Sequence, residues 1–151
     1  MAIYKGDNFN GYDTGSAVDV SLWMTEAAIV GDWVAVHVND TTSPGAGQGE
    51  SYRIADADEA SATYDTVGFL VEACAAASFG RVRVKGRGPA NVDSAAAVII
   101  GDLLSIGATA GRAIESTGTN PALRVLGTVE STPASNLAIV HLAVHPRFAD
   151  L

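Results

Sequence analysis

Three histidines, His37, His141 and His145, carry the imidazoles whose unperturbed titration lies nearest neutrality, so acid–base or metal chemistry would begin with them. His141 and His145 stand four residues apart, the spacing at which a helix clamps a metal ion. His141 lies, however, inside the apolar run Leu137 to Val144, which reads as a strand, and His145 follows it directly. A strand places such residues on one face but spreads them along it, and Pro146 favours an extended end. The three read as structural or solvent-exposed groups, and no metal site is expected.

Nucleophilic and phosphate-binding chemistry fare no better. Cys74 is a lone thiol in an apolar stretch and reads as a small core residue. The chain contains neither a G-x-S-x-G elbow nor an H-E-x-x-H helix. Gly45-Ala-Gly-Gln-Gly49 lacks the spacing of a dinucleotide loop, and no Walker lysine follows it. Asp56-Ala-Asp-Glu59 lacks the glycine and the spaced oxygens of a calcium loop, and reads as solvated turn charge. The sequence predicts a protein that is not an enzyme and needs no cofactor.

The most informative charges are Arg81, Arg83, Lys85 and Arg87, four of the nine basic residues, in one alternating run. They form a local positive stripe on a chain of net charge −8. Two readings stand: contact with an acidic protein surface or a neighbouring subunit, or a solvated strand face that blocks edge pairing. Nucleic acid is not an expected partner. The net charge opposes phosphate binding, and no aromatic residues interleave the stripe.

The elements that must position these groups read as β. Hydrophobic residues form 48% of the 151 residues, mostly Ala and Val, and there are 16 glycines. That composition suits thin, closely packed β layers. Strands are predicted over residues 33–38, 51–55, 67–73, 81–85, 102–106, 112–115, 124–130 and 137–144, each β-branched or alternating. Residues 95–100, with Asp93-Ser94 as a cap, are the one stretch predicted to make a helical turn. Val20 to Ala28 fits either a helical turn or an irregular strand. Loops are expected at 39–49 and 56–65. No apolar run approaches the roughly 20 residues that span a bilayer, and no signal peptide is visible, so synthesis and use in the cytoplasm are expected.

Residues 1–21 differ from the rest. They are rich in Gly, Asn, Asp and Ser, with Tyr4, Phe9 and Tyr12 spaced among them. They read as an extended N-terminal arm whose aromatics dock on a partner or pack back on the body. The body would be a β-rich domain over residues 22–151.

That body contains an internal duplication, over about 29–87 and 99–144. Gly31-Asp32 matches Gly101-Asp102, and Val67-Gly-Phe-Leu-Val-Glu72 matches Leu126-Gly-Thr-Val-Glu130. Tyr52-Arg-Ile54 is aligned with Gly111-Arg-Ala113, and Arg81-Val-Arg-Val84 with Leu137-Ala-Ile-Val140. Two such halves predict a compact β-sandwich or small β-barrel, each half covering the other's apolar face. Chance alignment of short β motifs is the alternative. Gly68 and Gly127, inside strands, predict a bulge or a close backbone approach.

The run Ile100-Gly-Asp-Leu-Leu104, Ala110-Gly-Arg-Ala113, Val125-Leu-Gly-Thr-Val-Glu130 and Leu137-Ala-Ile-Val-His-Leu142 resembles the repeating signature of tailed-bacteriophage capsid decoration, or cement, proteins. Gly31-Asp-Trp-Val-Ala35, Tyr52-Arg-Ile-Ala55 and Val67-Gly-Phe-Leu-Val71 carry a looser version. The resemblance spans about residues 29–144. It implies a structural virion protein on the capsid exterior, a homo-oligomer with a trimer favoured. Its partner would be the major capsid protein, its effect head stabilisation, and its arm would order on the shell. The loop near 39–49 and the Trp23/Trp33 pair depart from that pattern and put trimer geometry in question. The competing expectations are a phage tail or fibre-associated protein and a small ligand-binding β-barrel.

Overall fold

A computed structural model describes residues 17–37, 51–56, 66–117, 125–145 and 148. The fold is mainly β, as the sequence implies, and of the two expected architectures it takes the barrel. Val18–Met24 (β1), Trp33–His37 (β2), Ser51–Ile54 (β3), Thr66–Leu70 (β4) and Ser78–Lys85 (β5) close a ring in the order β1-β3-β2-β4-β5. Its interior follows from strict alternation. Val18, Val20, Leu22 and Met24 of β1 and Val82 and Val84 of β5 point into one apolar cluster with Val34, Val67 and Leu70. The opposite face of β1 and β5 carries Asp19, Trp23, Phe79, Arg81 and Arg83.

The remaining strands are Arg87–Asn91 (β6), Leu104–Ile106 (β7), Ala113–Glu115 (β8), Gly127–Val129 (β9) and Leu137–Leu142 (β10). They make a β6-β10-β9 sheet and a β7-β8 pair. The bridges Val92–Ala113 and Leu103–Thr128 join those sheets into the circuit β6-β8-β7-β9-β10. This is the strand order of the first barrel, and both circuits use one parallel contact at the equivalent place, Met24–Tyr52 and Val92–Ala113.

The duplication therefore extends to the hydrogen bonds. Gly31 N donates to Leu70 O and Gly101 N to Val129 O, both at 2.8 Å. Leu70 N donates to Asp32 O and Val129 N to Asp102 O, both at 3.0 Å. Ile29 N reaches the Asp32 carboxylate at 2.9 Å, and Ile99 N that of Asp102 at 2.8 Å. The two glycines take φ of +89° and +96°, which a side chain would oppose. The two in-strand glycines also act alike. A Cβ on Gly68 would lie 1.9 Å from Arg83 O, and one on Gly127 2.5 Å from His141 O. The close approach expected at both is present.

Three sequence expectations change. The repeat includes a strand at its front in each half, so its units run from β1 to β5 and from β6 to β10. The Tyr52-Arg-Ile54 alignment moves by two residues, since Thr25 N donates to Tyr52 O as Asp93 N does to Ala113 O. The Arg81-Val-Arg-Val84 alignment also moves by two, because Leu70 pairs with Val82 and Val129 with Val140. The cause is the period of a strand: a slip of two residues keeps every side chain on its face, so alternation alone cannot fix the register.

The segment read as an arm up to residue 21 is barrel from Val18 onward, paired along β5 from Val18–Lys85 to Met24–Ser78. The open alternative at Val20 to Ala28 resolves into the end of β1 and a bridge from Ala28 to Cys74. The helical turn is a single 3-10 turn, Ser94–Ala96, capped by Asp93.

The two barrels share a core. Trp33, Ala35, Ala55 and Phe69 of the first half pack with Ala90, Val92, Leu104, Leu126, Val129 and Val140 of the second. Trp33 and Phe69 meet edge to face at 5.6 Å.

Candidate functional site

The expected positive stripe lies on the outer face of β5 and the start of β6, but its charges have carboxylate partners. Asp19, opposite on β1, accepts from Arg83 Nε at 2.8 Å, Arg83 Nη2 at 3.1 Å and Arg81 Nε at 3.1 Å. Those bonds, Arg83 first, hold the Asp19 carboxyl below its ordinary range against the opposing effect of burial. Arg83 Nη1 also caps Arg87 O at 2.7 Å. Arg87 bonds Glu130 at 2.5 Å, and His141 Nδ1 lies 3.6 Å from the other oxygen of the same carboxylate. Lys85 ends β5 opposite Val18. Three of the four basic residues thus neutralise acids of this chain, and the stripe is an ion-paired strand face. Sequence reading could not find Asp19 as the partner, because it lies 62 residues from Arg81 and 64 from Arg83. The aromatic candidates Tyr4, Phe9 and Tyr12 lie outside the described residues.

The histidines do not converge. His37 belongs to β2 of the first barrel and approaches Thr25 Oγ1 at 3.5 Å. His141 lies on β10 beside Glu130, and His145, beyond the strand, packs against Phe148. Among the described residues no three His, Cys, Asp or Glu side chains form a metal-holding group.

A cleft of about 580 Å³ opens between the halves, lined by Ile29, Asp32, Cys74, Asn91 and Arg112 among others. Its polar groups serve the junction. The Asp32 carboxylate accepts Ile29 N at 2.9 Å and Asn91 Nδ2 at 2.7 Å, and burial pushes its pKa up. Burial also raises the Cys74 thiol, which lowers its thiolate fraction and its nucleophilicity. This chemistry binds one barrel to the other.

The surface features that stand out are apolar. Ala28-Ile-Val-Gly-Asp-Trp33 and Val98-Ile-Ile-Gly-Asp-Leu103 are equivalent turns. Each buries its first residue and exposes the next, with Ile29 and Ile99 both 63% exposed. The pattern was present in the sequence as a six-residue motif seventy positions apart, wider than the Gly-Asp pair used to align the halves. Phe79, 61% exposed, stacks edge to face on Trp23 at 5.2 Å on the first barrel's outer wall. Large exposed apolar side chains clustered in this way mark interaction surfaces rather than reaction centres.

No protein-family model and no curated protein matches the chain. Among solved structures, its fold is similar to the crystal structure of the head fiber gp8.5 N base in bacteriophage phi29. The TM-score is 0.52 at 15% identity, over 84% of this chain and 94% of that one. At that identity the likeness establishes a shared β architecture over most of both chains.

Proposed function

We propose that the chain is a structural protein of a tailed-phage virion that binds the outer surface of the assembled capsid and cements neighbouring capsomers. The observation that carries this reading is the fold likeness to a phage head-fiber base, covering most of both chains. The surface supports it. Each barrel presents an Ile-led apolar turn, and the described polar clusters are spent on intramolecular ion pairs and on the junction.

The mechanism is adhesion. A protein that binds the assembled shell and not its separated subunits stabilises the shell by mass action. Repetition over many sites multiplies a modest contact. Ile29 with Val30 and Ile99 with Ile100 offer two equivalent apolar contacts to the major capsid protein. Tyr4, Phe9 and Tyr12 are the proposed anchors of an arm that adds to that contact. Ordering such an arm costs about 1–2 kcal/mol per residue of backbone entropy, which buried aromatic area must offset. The basic face takes a secondary part, since Arg81, Arg83 and Arg87 already hold carboxylates.

The description of the similar structure as a head-fiber base favours a second reading, attachment to the head as the foot of a projecting fibre. Shell disruption by heat or guanidinium separates the two. A cement raises the disruption point of empty shells when added at saturation. A fibre foot binds the same shells and leaves that point unchanged. Absence of binding to shells would refute both.

A further inference from the structure

The junction between the barrels is asymmetric, and each barrel keeps an unused copy of the half it does not contribute. On the first barrel the junction is made by Gly31, Asp32 and Trp33. On the second it is made by Asn91 and Leu137, and beside them Trp33 N donates to Gly111 O at 3.2 Å and Gly111 N to Ala55 O at 2.8 Å. Asn91 N donates to Gly31 O at 2.8 Å, Asn91 Nδ2 to Asp32 Oδ1 at 2.7 Å, and Trp33 Nε1 to Asn91 O at 2.8 Å. A Cβ on Gly31 would lie 2.7 Å from Leu137 Cδ2, so the contact is tight.

The duplication says where the same surfaces recur. Gly31, Asp32 and Trp33 correspond to Gly101, Asp102 and Leu103 of the second barrel. There the surface is open among the described residues: none of their atoms lies within 4 Å of a Cβ built on Gly101. Leu103 is 47% exposed where Trp33 is fully buried. Asn91 and Leu137, paired in register across β6 and β10, correspond to Trp23 and Phe79, paired in register across β1 and β5. That surface carries the aromatic pair, Phe79 61% exposed against a half-buried Trp23.

We infer that the protein self-associates head to tail, the Gly101–Leu103 face of one copy receiving the Trp23–Phe79 face of the next. The contact repeats between chains the junction already made within each. The chemistry is matched in part: an indole N–H of Trp23 stands where Asn91 supplies a donor, and Asp102 stands where Asp32 accepts, whereas Leu103 has no donor to replace the Trp33 indole and offers apolar contact instead. Two apolar faces that each lack cover among the described residues gain it from the other. Ile29 stays exposed even though the junction beside it is made, so the Ile-led turns lie outside this contact and remain available to another partner. The interface is heterologous, and it closes into a ring or extends as a filament according to the rotation per copy. This inference is independent of the virion reading.

Two charge substitutions on exposed side chains test it. Phe79→Asp spoils one face and Leu103→Asp the other, with circular dichroism melts confirming that both variants fold. By analytical ultracentrifugation the native chain shows concentration-dependent species larger than a monomer, and each variant alone sediments as a monomer. An equimolar mixture forms a complex of twice the chain mass and grows no further, because each variant retains the face that the other lost. A native chain that stays monomeric at sub-millimolar concentration overturns the inference, and would assign the two faces to a different protein. So does a variant that keeps the native assembly, or a mixture that stays monomeric.

Discussion

Trp33 is held in the wall of the first barrel by its backbone and in the core of the second by its side chain, where its Nε1–H donates to Asn91 O at 2.8 Å. The two barrels should consequently unfold as one unit. Trp33→Phe keeps most of the packing but leaves a buried carbonyl with one donor fewer, a loss of about 1–3 kcal/mol. Urea unfolding followed by far-ultraviolet circular dichroism should show one transition at a lower midpoint with unchanged slope. Two resolved transitions would contradict the shared core.

The equivalent glycines predict unequal costs. Both need positive φ, so Gly101→Ala loses about 1–2 kcal/mol for a left-handed side chain. Gly31→Ala pays that and meets Leu137 Cδ2 at 2.7 Å and Asn91 N at 3.0 Å as well. Overpacking of that kind adds about 1–3 kcal/mol. The pair of denaturation midpoints measures the junction directly, and equal losses would mean that the junction is loose.

Asp19 and Asp32 give the stability curve two limbs of opposite sign. The Asp19 carboxyl, bonded by Arg83 and Arg81, has a folded pKa below its unfolded one. Its contribution is present above the unfolded pKa and is lost as pH falls through the folded one, below about 4. Asp32 is raised by burial, so the folded state binds its proton more tightly than the unfolded chain. Stability from that proton is present in acid and is lost as pH rises through the folded pKa. The native chain should lose stability relative to Asp19→Asn on acidification below about pH 4, and relative to Asp32→Asn as pH climbs above it. Unfolding at a series of pH values reads both differences, and parallel curves would contradict the assignment.

Deleting residues 1–16 leaves every described strand intact, whereas a cut at residue 21 removes half of β1. The shorter deletion should fold with a native spectrum and bind shells more weakly by at least tenfold, about 1.4 kcal/mol. Unimpaired binding would remove Tyr4, Phe9 and Tyr12 from the contact.

Much of the architecture could be read from the chain, and the parts that could not have physical reasons. Gly31-Asp32 and Gly101-Asp102 were visible as a pair because a positive φ followed by a carboxylate that closes the turn allows few residue types. The strand Arg87-Gly-Pro-Ala-Asn91 was missed because Gly and Pro read as a turn. Over residues 87–91 its ladder is with β10, the bridge to β8 comes only at Val92, and Pro89 is exposed. The front strand β1 was hidden because its apolar alternation, Val18, Val20, Leu22, begins inside a polar stretch. The Arg81 and Arg83 stripe was found, but its meaning depended on Asp19, placed opposite by strand pairing that local pattern does not encode. The same holds for Trp23 and Phe79, which become one surface only once β1 lies against β5.

Ile29→Asp and Ile99→Asp change side chains that touch solvent, so each should leave the melting temperature within about 2 °C of native, as surface substitutions do. Each should nevertheless weaken shell binding, and the double variant should abolish it. Retained binding by the double variant would move the contact elsewhere on the body.

The most direct measurement is co-sedimentation of the native chain with assembled empty capsids and, separately, with free capsid subunits. Pelleting with shells to a fixed, saturable ratio and no complex with free subunits is the predicted result. No enrichment in the shell pellet, or equal binding to free subunits, would contradict a role that depends on the assembled surface.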